Sequence, residues 1–387
     1  MTSKKTAREP RVEALRLVAA ASIAVFHTFM PWFYELTHSY GLGAYIVDNP
    51  VATPLLGFFN LLGAFGNNVF FFISGLFLVP AAARASLQGG YWAAQRAKTA
   101  ARVKQILATV ALYLALILGV SAFAVPIEGV SLAKLPSLLV WLEFIWVYLA
   151  LTALAPAIGW VWARIRRPKA AAAAIIAAVF AVNAYIAFFD MGDLDRGLLD
   201  WRKLMSAVTY FAAFIGGAAL ADVRLRPGAA AALLAAAVGV SLGVECKLAW
   251  SRELLLIYAT SFKSTSALSF AMATAAGLVA RRSRGKKGVG LGLATRFSPS
   301  ILGFYILQSL TSPLWQPAFG ELLEDVYLMP QTTSCEMLAA VHELDDCRGR
   351  RLAVGRIRPR LVRVAAGCRG RHAQATDRGV VGHAHGN

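Results

Sequence analysis

Long apolar runs alternate with short polar segments along residues 15–320. Each run contains about 18 or more nearly uncharged residues, which is the length a helix needs to cross a hydrocarbon core of about 30 Å. The pattern therefore predicts an all-α, polytopic transmembrane helix bundle of about nine spans. These spans are predicted near residues 15–33, 55–82, 103–125, 137–162, 170–189, 204–221, 229–244, 254–280 and 298–319.

The composition supports this class of protein. Hydrophobic residues make up 58% of the 387 positions and charged residues 16%, a balance outside that of an ordinary soluble domain. The first apolar run is too long for a cleavable secretory signal and has no small-residue cleavage pattern behind it, so it is predicted to be a true span. Cys246 is the only cysteine before residue 335, so neither a disulfide framework nor a metal site is predicted.

The net charge of +18 by itself suggests nucleic acid as a partner, but the basic residues lie in short segments between the apolar runs. Such segments mark the cytoplasmic side of a membrane protein, so we expect no nucleic-acid partner. This positive-inside rule places an N-terminal segment, residues 1–13, in the cytoplasm, and a transmembrane domain follows at residues 14–320. The cytoplasmic basic segments are residues 4–11, 84–104, 164–169, 224–226 and 281–296.

The last 67 residues do not fit this alternation. Nine spans leave them outside the cell, yet from Arg348 onward they hold ten arginines against one acidic residue, Asp377. They show no helical or strand periodicity. Residues 321–387 are therefore predicted to be an Arg-rich tail that is disordered, or that is a shifted reading frame or a non-native extension in place of a last span. Resequencing of the gene would test this. His383 and His385 lie in this tail without partner ligands at useful spacing.

Ionisable residues at membrane depth are costly and are candidates for function. Arg16 and His27 are 11 residues apart, a separation that returns to within about 20° of the same helical face and places His27 about 16 Å deeper. The pair therefore predicts a functional stripe on the first span. Two structural alternatives stay open, because Arg16 can be a snorkelling topology charge and His27 a packed, hydrogen-bonded side chain.

The second span carries a polar and small-residue patch within residues 66–75. Asn67 and Asn68 need hydrogen-bond partners in lipid, while Ser74 and Gly75 allow another backbone or a ligand to come close. The alternative is ordinary helix packing through a small-residue patch.

Together these residues resemble the membrane acyltransferase-3 family, whose members acylate surface polysaccharides, lipopolysaccharide, peptidoglycan and some secondary metabolites. Residues 11–27 resemble the family's signature of arginine, ten residues and histidine in an opening helix. Residues 68–75 resemble its aromatic run that ends in Ser-Gly. Two weaker similarities follow. Residues 96–107 resemble the family's basic segment before the third span. Residues 298–308 resemble the start of a late, serine-rich helix, in which Gln308 stands where the family usually has a histidine. The family norm is about ten spans with both ends cytoplasmic.

The resemblance implies an O-acyltransferase of the bacterial inner (plasma) membrane that moves an acyl group, expected to be acetyl, from cytoplasmic acyl-CoA to a hydroxyl of a cell-surface or exported carbohydrate. His27 is the expected general base or acyl carrier, and Arg16 the expected partner of the CoA phosphates or the thioester oxygen. The partners are then a carbohydrate or glycolipid acceptor and membrane lipids. Expected donor-binding residues are Arg16, Ser74, Gly75, Arg96 and Arg102, and expected acceptor-binding residues are Asn67, Asn68 and Glu143.

Two other functions stay open. A polytopic transporter or flippase also has polar groups near the mid-plane, although the two halves of this chain show no convincing internal similarity. An inactivated relative of the acyltransferases is suggested by Gln308 and by the tail.

Overall fold

A computed structural model describes residues 9–39, 41, 43–47, 49–189, 201–261, 265–281 and 289–320. Within these ranges the chain is helical with short connections and forms no β-strand. The α-helices are α1 (Pro10–His38), α2 (Gly43–Ile46), α3 (Ala52–Ala85), α4 (Tyr91–Phe123), α5 (Leu135–Trp141), α6 (Glu143–Trp162), α7 (Pro168–Phe188), α8 (Trp201–Ala219), α9 (Pro227–Trp250), α10 (Leu254–Ser261), α11 (Ala267–Ala280), α12 (Val289–Phe297) and α13 (Ile301–Thr311). Short 3-10 turns cover Leu132–Lys134, Ser298–Ser300 and Ser312–Leu314, and residues 316–320 are also helical.

Six of these helices are long and apolar enough to cross a membrane, namely α1, α3, α4, α6, α7 and α9. Shorter apolar helices accompany them in α8, α11 and α13. This arrangement confirms the predicted all-α polytopic bundle. The count of nine spans and the side on which each terminus lies stay predictions, and the predicted tail at residues 321–387 falls outside the described residues.

Two predicted spans are each divided into two helices. The span at 137–162 is divided at Leu142, whose backbone angles of −84° and 26° leave the α-helical region, so that α6 begins at Glu143. The span at 254–280 is divided between α10 and α11, where the Ser266 side chain accepts a hydrogen bond from the Ser269 backbone N–H and caps a new helix. Hydropathy alone joined these segments because Leu142 is apolar and because Lys263 is a single charge within an otherwise long apolar run.

α3 occupies the centre of the bundle and packs against α1, α6, α8 and α11. Its glycines allow the close approach of α1. A methyl group added at Gly63 would overlap the ring of Phe26, and one added at Gly66 would come within 2.5 Å of the Ala19 carbonyl oxygen. Small residues in α3 therefore position α1, the helix that carries Arg16 and His27.

α13 runs alongside α1 in the same direction. The turn before it contacts α1 near its N-terminal end, where Ser298 bonds to Glu13, and α13 itself reaches α1 again at His27 through Gln308. The carboxyl-terminal part of the described bundle thus contacts α1 at two depths, at Glu13 and at His27.

Candidate active site

His27 is held by α13. Its ring nitrogen Nδ1 lies 3.0 Å from the side-chain oxygen Oε1 of Gln308, and the Oγ atom of Ser309 lies 3.5 Å from the same nitrogen. An amide oxygen only accepts hydrogen bonds, so Nδ1 carries the proton in the contact with Gln308. The basic lone pair of a neutral imidazole in this tautomer is on Nε2. The geometry therefore sets both the orientation and the tautomer of the ring.

The backbone around His27 is also fixed from the same side. Gln316 donates a hydrogen bond of 2.8 Å to the His27 carbonyl oxygen, and Trp315 donates one of 3.1 Å to the hydroxyl of Thr28. The ring of Phe26 packs against the imidazole with ring centroids 5.1 Å apart. These contacts make His27 a rigidly placed group, which is what a reacting side chain requires.

Arg16 is the second member of the stripe, and it is paired with Glu13. Its Nη1 atom donates to both carboxylate oxygens of Glu13, at 3.0 and 3.1 Å. The Glu13 carboxylate is 5% exposed and also accepts a hydrogen bond from the Ser298 hydroxyl, while the Arg16 side chain is 31% exposed. Because both bonds to Glu13 use Nη1, Nη2 and Nε keep donor capacity for an anionic ligand.

The two asparagines of α3 lie in different surroundings. Asn67 donates a hydrogen bond of 2.9 Å from its side-chain nitrogen to the Tyr210 hydroxyl, while its side-chain oxygen has no partner among the described residues. Asn68 is fully buried, and neither atom of its side-chain amide has a partner within the described part of the chain. Amide groups buried without partners are costly, so both positions are candidates for binding a ligand.

An aromatic cluster links these residues to His27. The ring of Phe71 stacks on Tyr210 with centroids 4.5 Å apart, and Phe144 packs against Tyr305 at 4.7 Å. Tyr305 in turn lies 6.4 Å from the His27 ring. The cluster therefore connects α3, α6 and α8 with α13. Its ring contacts run from Tyr210, the partner of Asn67, to the His27 imidazole.

Glu143 reaches the same cluster from the start of α6. It directly precedes Phe144, whose ring packs against Tyr305. The nearby Trp146 indole N–H donates to the Leu139 carbonyl oxygen at 2.6 Å and not to Glu143. The structure thus links His27 and Asn67 through this cluster, and Glu143 is the chain neighbour of one of its members, Phe144.

The other residues that the sequence singled out lie elsewhere. A methyl group added at Gly75 would overlap the Phe214 carbonyl oxygen, so Gly75 lies in a tight contact between α3 and α8, next to buried Ser74. This position supports the packing alternative, and a role in donor binding stays a prediction. Arg96 and Arg102 are exposed along the first half of α4. Their predicted role in donor binding also stays a prediction.

One buried carboxylate was missed by the sequence analysis. Glu245 in α9 is fully buried, and neither of its oxygens has a hydrogen-bond partner within the described residues. It faces Gly57 of α3, where any side chain would overlap the carboxylate. The signal that could have identified it is simple, since Glu245 is an ionisable residue at the end of an apolar run.

The fold and the site define a multi-pass integral membrane protein with an oriented, half-buried imidazole between α1 and α13. A family model described as an acyltransferase domain, of the acyltransferase-3 type, matches residues 9–340. The chain belongs to this acyltransferase family, and the resemblance seen in residues 11–27 and 68–75 is confirmed. The match continues 20 residues beyond the predicted boundary of the tail at residue 320. Comparisons with curated proteins and with solved structures gave no match.

Proposed function

We propose that this membrane acyltransferase transfers an acetyl group from cytoplasmic acetyl-CoA to a hydroxyl of a cell-surface or exported carbohydrate in the bacterial inner membrane. The observation that carries the proposal is the His27–Gln308 contact, which presents Nε2 of the imidazole as a base inside the bundle. With an unperturbed pKa of about 6.5, a neutral imidazole is well suited to general-base chemistry.

The chemistry follows from this tautomer. Nε2 takes the proton of the acceptor hydroxyl while the hydroxyl oxygen attacks the thioester carbonyl carbon. The new C–O bond forms, the C–S bond breaks, and the departing CoA thiolate takes the proton from the imidazolium. Gln308 accepts the Nδ1–H bond throughout and keeps the ring oriented.

The acceptor is proposed to bind on the side of the aromatic cluster. Asn67 bonds to Tyr210 of this cluster and Glu143 directly precedes Phe144, and amide and carboxylate groups bind sugar hydroxyls by hydrogen bonding. The aromatic faces of Phe144 and Tyr305 supply apolar surface, which is the usual lining of a small-molecule site.

Arg16 is proposed to bind the phosphates of the donor. It lies about 16 Å from His27 along the axis of α1, too far for one guanidinium to contact both the CoA phosphates and a thioester at the imidazole. A planar guanidinium fork suits phosphate oxygens, and the pairing with Glu13 holds it in place.

The central test is His27→Ala in purified full-length protein. We expect a loss of acyl transfer of at least a hundredfold, because general-base catalysis typically contributes a factor of about 10² to 10⁴. Release of free CoA from acetyl-CoA and incorporation of labelled acetyl into surface glycan are measured together. His38→Gln is the matched control, since His38 ends α1 and bonds to the Tyr34 carbonyl oxygen away from Gln308.

The same measurement separates the competing functions. Full transfer activity in His27→Ala would overturn the mechanism. Movement of a glycan across the membrane without acylation would identify a flippase, and no turnover in wild-type protein with any acyl-CoA would identify an inactivated relative.

A second test concerns the donor. Arg16→Ala is expected to raise the KM for acetyl-CoA about tenfold with a smaller effect on kcat, and Arg16→Lys to restore it in part, because lysine keeps the charge but lacks the fork. Initial rates at varied acetyl-CoA concentration measure this, with Arg166→Ala, an exposed arginine between α6 and α7, as the control. Equal KM values in all four proteins would show that Arg16 does not bind the donor and serves only as a charge that sets the membrane orientation.

A further inference from the structure

A groove opens on the side of the bundle between α1, α3, α9 and α11. Its volume is about 530 Å³, within the range of known ligand sites. Its walls are apolar and include Leu15 and Val18 of α1, Leu234 and Val238 of α9, and Ala276 of α11. Among the lining residues that the structure describes, Arg11 alone carries a charge.

The groove lies on the opposite face of α1 from the candidate active site. Arg11 and Val18 are seven residues apart, which places them within about 20° of each other around the helix, whereas Arg16 and His27 are about 140° and 160° away from Arg11. The groove is therefore separate from the stripe that contacts Gln308 and Ser298. A donor whose thioester must reach His27 does not fit this location.

The depth of the groove matches one leaflet of a membrane. Arg11 is in the first turn of α1, at the end of the bundle that the basic segments assign to the cytoplasm. Leu234 and Val238 are seven and eleven residues from the start of α9, or about 10 and 16 Å along its axis. Half of a hydrocarbon core is about 15 Å thick, so the groove covers at least one leaflet from the predicted cytoplasmic surface, and Phe58 and Leu62 of α3 line its deeper end.

We propose that this groove binds one phospholipid with an anionic headgroup, whose phosphate accepts hydrogen bonds from Arg11 and whose acyl chain lies between α1 and α9. A cation at the membrane surface above an apolar channel complements the two parts of such a lipid, and basic pockets between transmembrane helices on the cytoplasmic side bind anionic headgroups. The wall is open towards the bilayer, since Val18 is 53% exposed and the neighbouring α9 is largely uncovered within the bundle. A lipid can therefore enter sideways.

The test uses full-length protein in nanodiscs of phosphatidylcholine that contain a few per cent of phosphatidylglycerol with a photoreactive diazirine in its acyl chain. We expect the label on peptides of α1 and α9 that line the groove, and we expect unlabelled phosphatidylglycerol to compete with it. Arg11→Gln should weaken the apparent affinity about fivefold, the factor that corresponds to about 1 kcal/mol for one basic residue at the membrane surface. Arg166→Gln should leave it unchanged.

A matched pair of tryptophan variants tests the channel itself. Val18→Trp places an indole in the groove, while Val240→Trp places one on α9 at a residue that is 58% exposed and does not line the groove. Only Val18→Trp should reduce labelling. Both valines are exposed, so both variants are expected to fold, and thermal unfolding checks this.

Three outcomes would overturn the proposal. Equal labelling by a phosphatidylcholine probe with the same diazirine chain would show ordinary contact with bulk lipid. Competition by acetyl-CoA or a long-chain acyl-CoA, and not by phosphatidylglycerol, would assign the groove to the donor. Unchanged lipid affinity in Arg11→Gln would show that Arg11 does not contact the lipid headgroup.

Discussion

The contact between His27 and Gln308 joins two residues that are 281 positions apart. The sequence pattern places Gln308 where a histidine is usual in the family, and the structure shows what a glutamine does there: its amide oxygen accepts the Nδ1 hydrogen bond of His27. One side-chain acceptor therefore fixes the tautomer on which the proposed base depends.

Gln308→Ala tests this role. Removal of the acceptor lets the ring rotate and change tautomer, so we expect kcat to fall about tenfold, which corresponds to a lost hydrogen bond of about 1.4 kcal/mol. Steady-state acetyl transfer at saturating acetyl-CoA is the measurement. Gln88→Ala is the matched control, because Gln88 is an exposed glutamine in the connection between α3 and α4, away from His27. If both variants lose the same activity, the loss does not come from the imidazole contact.

At the scale of elements, the contact between α3 and α8 sets the position of the site. Gly75 of α3 faces the backbone of Phe214, and Gly217 of α8 faces the backbone of Phe72, so the two helices touch through glycines on both sides. Asn67 and its partner Tyr210 lie on the same two helices. The close packing therefore also keeps Asn67, a predicted acceptor-binding residue, aligned with its partner Tyr210.

Gly75→Ala tests the packing. The added methyl group would overlap the Phe214 carbonyl oxygen, so the helices must separate, at a cost of about 1–3 kcal/mol. We expect a lower melting temperature in detergent, measured by the thermal dependence of helical circular dichroism. Gly239→Ala is the control: nothing lies within 4 Å of the added atom, and alanine favours a helix over glycine, so stability should stay equal or rise. An unchanged melting temperature in Gly75→Ala would show that α3 and α8 adapt freely.

At the scale of the whole molecule, the alternation of basic and acidic connections predicts which side each loop occupies. The loop between α6 and α7 contains Arg166 and is predicted to be cytoplasmic, whereas the connection between α9 and α10 contains Ser251 and is predicted to face outward. Both residues are exposed.

Cysteine labelling in whole cells tests this arrangement. In a chain whose native cysteines are replaced by serine, Ser251→Cys should react with a membrane-impermeant maleimide, and Arg166→Cys should react only after the cells are opened. The physical reason is the cost of moving arginine-rich loops across the membrane during insertion. Labelling of both positions from outside would contradict the predicted topology and, with it, access of cytoplasmic acetyl-CoA to Arg16.

Hydropathy and helical periodicity are local properties of the chain, so the residue pattern alone was enough to predict an all-α polytopic membrane bundle and to place Arg16 and His27 on one face of its first helix. It also carried the family resemblance. The packing of the helices was needed to show that Gln308 holds the imidazole, that Glu13, itself bonded to Ser298, pairs with Arg16, and that Gly75 serves a helix contact. The tertiary structure also revealed the helix breaks at Leu142 and Ser266 and the burial of Glu245. These features depend on which helices meet and at what depth, and that is set by side-chain packing between residues far apart in the chain, which no local pattern records.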